Sequence, residues 1–238
     1  MILLQQSPSL RAAFQNQVDK KISTNREEFQ DNLGNGFLSS FGGAIFDIRQ
    51  LKNQIKGSMG EEILSLLLQS LPDTWTMFNN ALIPAAGKLT EIDHLIVGSG
   101  GVFLVEVKTW NGFFSAYKDK WKRRERDKWV AVAKGPTSQS AFHQKMFEQW
   151  IASEVPNFPN NAIVAPVIFT VARWVGTTDC SVPVLHGFSA LQKMLVNSPN
   201  CLSADQVSRI STAIANYTIP TPTATPKPII KRKKLGDS

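Results

Sequence analysis

Cysteine and histidine are scarce in this chain. Its two cysteines, Cys180 and Cys201, sit outside any CxxC pair, and its three histidines are dispersed. No structural zinc site can be assembled from that spacing. Two cysteines are also too few for a disulfide framework, so a reducing cytoplasm is the expected compartment. Long apolar runs are missing as well: no stretch approaches the ~20 apolar residues that span a bilayer. The start, Met1-Ile2-Leu3-Leu4-Gln5-Gln6, has no basic leader and no apolar run of signal-peptide length. A soluble, intracellular protein with no membrane partner is expected. Acidic residues are in deficit, with 19 Asp and Glu against 26 Lys and Arg and a formal net charge of +7. That excess suits a polyanionic partner such as nucleic acid.

What remains is an ordinary globular composition, 42% hydrophobic and 19% charged over 238 residues. The length accommodates one good-sized core with extra segments at each end. Residues 8–32 carry a sparse apolar stripe (Ala12, Phe14, Val18, Ile22, Phe29) and read as a helical leader. A Gly-rich apolar connector follows, with Gly34, Gly36, Gly42 and Gly43. A clearer helix begins near Ser58, carries Ile63, Leu64, Leu67, Leu68 and Leu71, and ends at Pro72. Strands are expected at 75–83, 90–97 and 101–109, with one or two more between Trp121 and Val132. Pro136 and Thr137 introduce a helix to about Ala152. Ile163–Val171 reads as a strand in which Pro166 argues for an edge position or a bulge. A short strand at Val182–Leu185 and helices at Ser189–Val196 and Ser203–Asn216 complete the pattern, with Ser203 as the N-cap of the last. This order predicts an α/β domain with a mixed sheet. After Tyr217 the chain is rich in Pro and Thr and carries Lys231-Arg232-Lys233-Lys234, a disordered or extended basic tail.

The central hairpin brings charged residues together. Glu106 and Lys108 are two apart on one strand and share a face. A two-residue loop at Ser99-Gly100 sets Gly98 against Gly101, Val97 against Val102, Ile96 against Phe103, Leu95 against Leu104 and His94 against Val105. Asp93 then falls opposite Glu106, about 4.5–5.5 Å away at Cβ. Facing carboxylates repel and call for a compensating cation, and hard oxygen ligands suit Mg²⁺ or Mn²⁺. Lys108 would orient or help deprotonate a water, or stabilise negative charge on a phosphate. The alternative from spacing alone is a solvated strand end with scattered charges. Leu95, Val97, Val102 and Leu104 share the face and imply burial. His94 falls on the opposite face, where a hydrogen-bonded structural role is expected.

Gly60-Glu61-Glu62, Glu91-Ile92-Asp93-His94-Leu95-Ile96-Val97 and Gly101-Val102-Phe103-Leu104-Val105-Glu106-Val107-Lys108 together resemble the nuclease-related domain (NERD) family. That family lies within the PD-(D/E)XK nuclease superfamily, which also holds Holliday junction resolvases and many restriction enzymes. The resemblance covers about residues 55–170, and its third motif is the most specific. It implies a restriction-endonuclease-like core, a central mixed sheet flanked by helices. It implies Asp93 and Glu106 as ligands of Mg²⁺ or Mn²⁺ and Lys108 as the catalytic lysine. It adds Glu61 on the helix near Ser58, and Gln139 in Pro136-Thr137-Ser138-Gln139. The family usually shows Asn before that Pro, where this chain has Gly135. Glu61 also has a structural reading, as the far half of a Ser58–Glu61 capping box. However, it lies three before Leu64 and seven before Leu68, on the apolar stripe, where a carboxylate needs a partner. Gln139 would share its helix face with Phe142, Met146 and Trp150. It reads either as a polar residue near a helix start or as an amide presented to a metal-bound water or the DNA backbone.

The densest charge run is Tyr117-Lys118-Asp119-Lys120-Trp121-Lys122-Arg123-Arg124-Glu125-Arg126-Asp127-Lys128-Trp129. Lys120, Lys122, Arg123, Arg124 and Arg126 are the candidate nucleic-acid-binding residues, with interleaved aromatics able to stack on bases. The alternative is an exposed hairpin with its tryptophans turned inward. The expected organisation is a leader and connector at 1–54, a nuclease-like domain at 55–217 and a tail at 218–238. The expected function is metal-dependent hydrolysis of DNA phosphodiesters. The alternatives are a non-catalytic nucleic-acid-binding or scaffold module on the same fold, and a component recruiting a protein partner through the N-terminal helix or the basic tail.

Overall fold

A computed structural model describes residues 1–31, 71–133, 135–159 and 161–219. The Gly-rich connector, the expected helix from Ser58 with Glu61 and Glu62, and residues 220–238 of the tail lie outside the described residues. The leader is helix α1 (Pro8–Asp31). It docks on the core: the Gln17 side-chain amide exchanges two 2.8 Å hydrogen bonds with the backbone of Leu89, and Arg11 bonds Glu91 and the Asn80 carbonyl.

The main sheet is mixed and runs β1-β2-β3-β4-β9-β11, with β8 also paired to β4. Its members are β1 (Ile2–Leu4), β2 (Thr76–Ala85), β3 (Lys88–Gly98), β4 (Gly101–Lys108), β8 (Ile163–Val164), β9 (Val167–Phe169) and β11 (Val184–His186). Antiparallel β2 and β3 are joined through Ala86 and Gly87, both at positive φ (47° and 76°). This is the left-handed pair of a tight hairpin, and glycine adopts it without penalty. Residues Leu95–Gly98 of β3 and Gly101–Glu106 of β4 are all buried, as expected for central strands covered on both faces. One side, with Leu95, Val97, Val102 and Leu104, packs with Phe147, Ile151, Ile210 and Ile214. These last belong to α2 (Pro136–Glu154) and α4 (Ala204–Asn216). The other side, with Ile96, Phe103 and Val105, packs with Leu191 and Leu195 of α3 (Phe188–Val196). The fold is α/β, a central mixed sheet with helices on both faces. Ser203 caps α4 in a capping box: its hydroxyl accepts from Gln206 N–H at 3.2 Å, and Gln206 Oε1 accepts from Ser203 N–H at 2.9 Å.

The Ile163–Val171 run is interrupted, as Pro166 implies, but not at an edge: β8 and β9 both pair with β4, and β9 lies between β4 and β11. The break has a use. The Pro166 carbonyl accepts from Glu106 N–H at 3.0 Å, and the Ala165 carbonyl accepts from Ser140 Oγ at 2.7 Å, fastening α2.

A second sheet runs β10-β5-β6-β7, from β10 (Ala172–Thr178), β5 (Gly112–Tyr117), β6 (Lys120–Glu125) and β7 (Lys128–Ala131). Periodicity does not announce β1, β5 or β10. β5 and β10 are the direct continuations of β4 and β9, so a parallel pair leaves one sheet and enters the other. Among the described residues no helix is long and apolar enough to cross a membrane.

The β3–β4 turn is sealed by Trp75, which stacks on Phe103 with centroids 6.0 Å apart. A Cβ on Gly98 would lie 2.0 Å from Trp75 Cδ2. Gly98→Ala is therefore expected to cost about 1–3 kcal/mol of stability through overpacking, read as a lower urea midpoint. An unchanged midpoint would contradict this packing.

Candidate functional site

The register of β3 on β4 is His94 with Val105, Leu95 with Leu104, Ile96 with Phe103, Val97 with Val102 and Gly98 with Gly101. Pairing stops there, one step short of the expected Asp93–Glu106 pair. Beyond that point Glu106 and Lys108 are paired only on the other edge of β4, with β9 opposite Val167 and Phe169, while β3 stays with β2. The two strands part, and Asp93 bridges the opening: its Oδ2 accepts from Val107 N–H at 2.9 Å.

Glu106 is 5% exposed, and burying a carboxylate requires compensation. Lys108 Nζ lies 2.6 Å from Glu106 Oε1 and donates to Gln139 Oε1 at 3.1 Å. The indole of Trp110 lies 6.0 Å from the same ammonium. The cation that faces Glu106 is thus already in the chain, and Asp93 has a backbone donor. Repulsion between the two carboxylates does not by itself require a metal. Among the described residues, no three His, Cys, Asp or Glu side chains gather as a metal cluster.

Helix α2 supplies the other wall. Pro136 occupies its first turn and Gly135 its N-cap, an arrangement suited to the restricted φ of proline. A Cβ at position 135 would lie 2.2 Å from Trp121 Cδ1, which gives a packing reason for glycine where the family usually has asparagine. The buried stripe of α2 is Thr137, Ser140, His143, Phe147, Trp150 and Ile151. Gln139 and Phe142 lie outside it, at the exposed rim, so the expected shared face of Gln139 with Trp150 is not the buried one. From that rim Gln139 still reaches Lys108.

One residue of the site escaped the sequence. His143 is buried, its Nδ1 is 3.7 Å from Glu106 Oε2 and its Nε2 is 3.1 Å from Thr90 Oγ1. Its spacing of four from Gln139, one helical turn, is the signal that points to it. His94 is on the opposite face, with Nδ1 2.8 Å from Asn79 Oδ1. Burial pushes its pKa down, and the Asp93 charge partly offsets this.

Of the basic candidates, Lys120, Lys122 and Arg124 alternate along β6 and share one face. Arg123 turns to the other side and pairs with Glu125. Arg126 is in the turn to β7, and its carbonyl accepts from Arg124 Nε at 3.2 Å. Trp121 is turned inward and buried, but Trp129 is not.

The model of the nuclease-related domain (NERD) family matches residues 56–170, the segment that holds every strand and helix of this site. These residues belong to the nuclease-related domain family. The NERD assignment places the segment in the PD-(D/E)XK superfamily and implies a nuclease-related function. An uncharacterized protein of Bacillus anthracis is 29% identical over 105 residues, which is 42% of this chain and 49% of that protein. The chain thus spans about half the length of that relative. No solved structure matches the chain.

The NERD wall formed by α2 depends on a buried hydrogen bond, Trp121 Nε1–H to Thr137 Oγ1 at 2.8 Å. Thr137→Val removes the acceptor and keeps the shape. It is expected to cost about 1–3 kcal/mol, measured by chemical denaturation. A neutral result would mean that this bond does not fix the helix start.

Proposed function

We propose that the protein is a nuclease that uses Mg²⁺ or Mn²⁺ to hydrolyse DNA phosphodiester bonds. The observation that carries this reading is the convergence of Asp93, Glu106, Lys108 and Gln139 where β4 leaves β3. The donor set fits a hard divalent cation, since Asp93 and Glu106 present carboxylate oxygens at one strand end. Glu61 joins them on the family resemblance. A bound cation would supply Lewis acidity, lowering the pKa of a water and offsetting phosphate charge.

The chain's own residues have separate tasks. Lys108 uses two of its three N–H donors on Glu106 and Gln139, which leaves the third to meet a phosphate oxygen or an attacking water. Gln139 fixes the direction of that ammonium. His143 steadies the second oxygen of Glu106, itself braced by Thr90. Lys120, Lys122, Arg123, Arg124 and Arg126 contribute attraction for the phosphate backbone.

A second reading is a nucleic-acid-binding or scaffold module without turnover. It is favoured by the Lys108–Glu106 contact, which balances the buried charge with no metal at all.

Purified full-length protein is expected to cut DNA with Mg²⁺ or Mn²⁺ and to stop when the metal is chelated. Linear, circular, branched and single-stranded substrates would define its preference. Lys108→Ala and Asp93→Ala are each expected to lower the rate by at least about 100-fold. Cleavage that survives both substitutions, free of contaminant, would sink the mechanism; salt-sensitive binding without cleavage would establish the second reading. His143→Ala is expected to lower activity by about 10- to 100-fold. Full activity in that variant would remove His143 from the site.

A further inference from the structure

The second sheet has one face turned to the core and one turned away. Phe114, Ala116 and Trp121 point inward and are buried. The register defines the opposite face. Trp174 aligns with Phe113, Phe114 with Arg123, and Arg124 with Trp129. A row therefore crosses all four strands: Trp174, Phe113, Arg124, Trp129. The next rows on that face hold Lys122 and then Tyr117 with Lys120. Every charged residue on this face is basic; Glu125 falls on the other side with Arg123.

Its aromatic rings are also exposed. Trp174 is 46%, Trp129 44% and Tyr117 55% exposed, an unusual state for large rings grouped on a sheet. Trp129 and Trp174 approach to 6.2 Å between centroids. The Trp174 indole occupies the space a side chain at Gly176 would fill, since a Cβ there would lie 2.2 Å from Cη2. At the end nearest Lys108, an open cleft of about 430 Å³ is lined by Asn111, Gly112, Phe113, Arg124, Arg126 and Arg173. It begins three residues after Lys108 in the chain.

We infer that this face is a platform for single-stranded nucleic acid, with bases stacked on Trp129, Trp174 and Phe113 and phosphates held by Lys120, Lys122 and Arg124. The three-arginine cleft carries the strand on toward Lys108. Stacking on exposed rings needs bases free of a duplex stack, while the lysines and arginines neutralise the backbone whatever its sequence. The inference deepens the nuclease reading and rests on it for the direction of the strand, but binding to the face stands apart from cleavage.

The test uses the full chain carrying Lys108→Ala, without divalent metal, and labelled oligothymidylate of about 16 nucleotides. Fluorescence anisotropy gives the affinity, with oligouridylate, duplex DNA and heparin as the other arms. Single strands are expected to bind more tightly than duplex. Trp129→Ala and Trp174→Ala should each weaken single-strand binding about tenfold and leave heparin binding unchanged. Gly176→Val keeps every ring and charge but evicts the Trp174 indole, and should reproduce Trp174→Ala. Lys122→Gln should lower the salt slope by about one for every arm. Comparison of the thymidylate and uridylate arms shows whether the strand is DNA or RNA. Equal binding of duplex and single strand, or tryptophan variants that bind as the parent does while keeping its denaturation midpoint, would overturn the platform. Retained metal-dependent cleavage by those variants on a Lys108 background would then leave the nuclease reading standing. Tryptophan-dependent binding without cleavage would fail that reading and keep the platform.

Discussion

Backbone pairing between β3 and β4 ends at His94 and Val105, and the site exists because it ends there. Had the ladder run on, Val107 N–H would be spent within the sheet and the strand end would be closed. Instead β3 turns away while β4 keeps β9 on its other edge, and the Asp93 carboxylate takes the orphaned donor on the edge β3 has left. A buried N–H without an acceptor is expensive, so this one bond ties the site's first acid to the backbone beside its second. The remaining contacts follow outward: Glu106 is held by Lys108, Lys108 by Gln139, and Gln139 by the helix that Ser140 fastens to the broken strand.

The hairpin was legible from sequence for physical reasons. A Gly-rich two-residue turn leaves one register that buries Leu95, Val97, Val102 and Leu104 together, and slipping by one residue would expose them all. That register puts Asp93, Glu106 and Lys108 on one face. The end of the β3 ladder at Val105 was not legible, because an unbroken hairpin register sets Asp93 opposite Glu106; nor was the inner place of β9, whose break at Pro166 reads as an edge or a bulge until its neighbours are known. His143 was missed because dispersed histidines carry no spacing signal, although its four-residue step from Gln139 did. Two neighbouring carboxylates do not by themselves demand a metal when a cation, Lys108, stands two residues from Glu106.

The second sheet was half visible. Lys120–Trp129 read as a charged hairpin, but β5 and β10 are short segments with no clean alternation of apolar and polar residues. Their identity comes from following β4 and β9, not from their own composition. Trp121 shows how closely the two sheets are joined. Its indole fills the space beside Gly135 and bonds Thr137, so the residue that begins α2 is chosen by a side chain of the other sheet.

The paired exit of β4 and β9 has a geometric consequence. Two adjacent parallel strands turn the same corner, through Trp110 on one and Thr170 on the other, and pair again as β5 and β10. A sheet hung from one strand can swivel; one hung from two neighbouring strands can only bend. The corner therefore works as a ruler. It fixes how far anything lying on the second sheet sits from the Lys108 ammonium, and each residue added to both linkers would lengthen that span by up to about 3.3 Å.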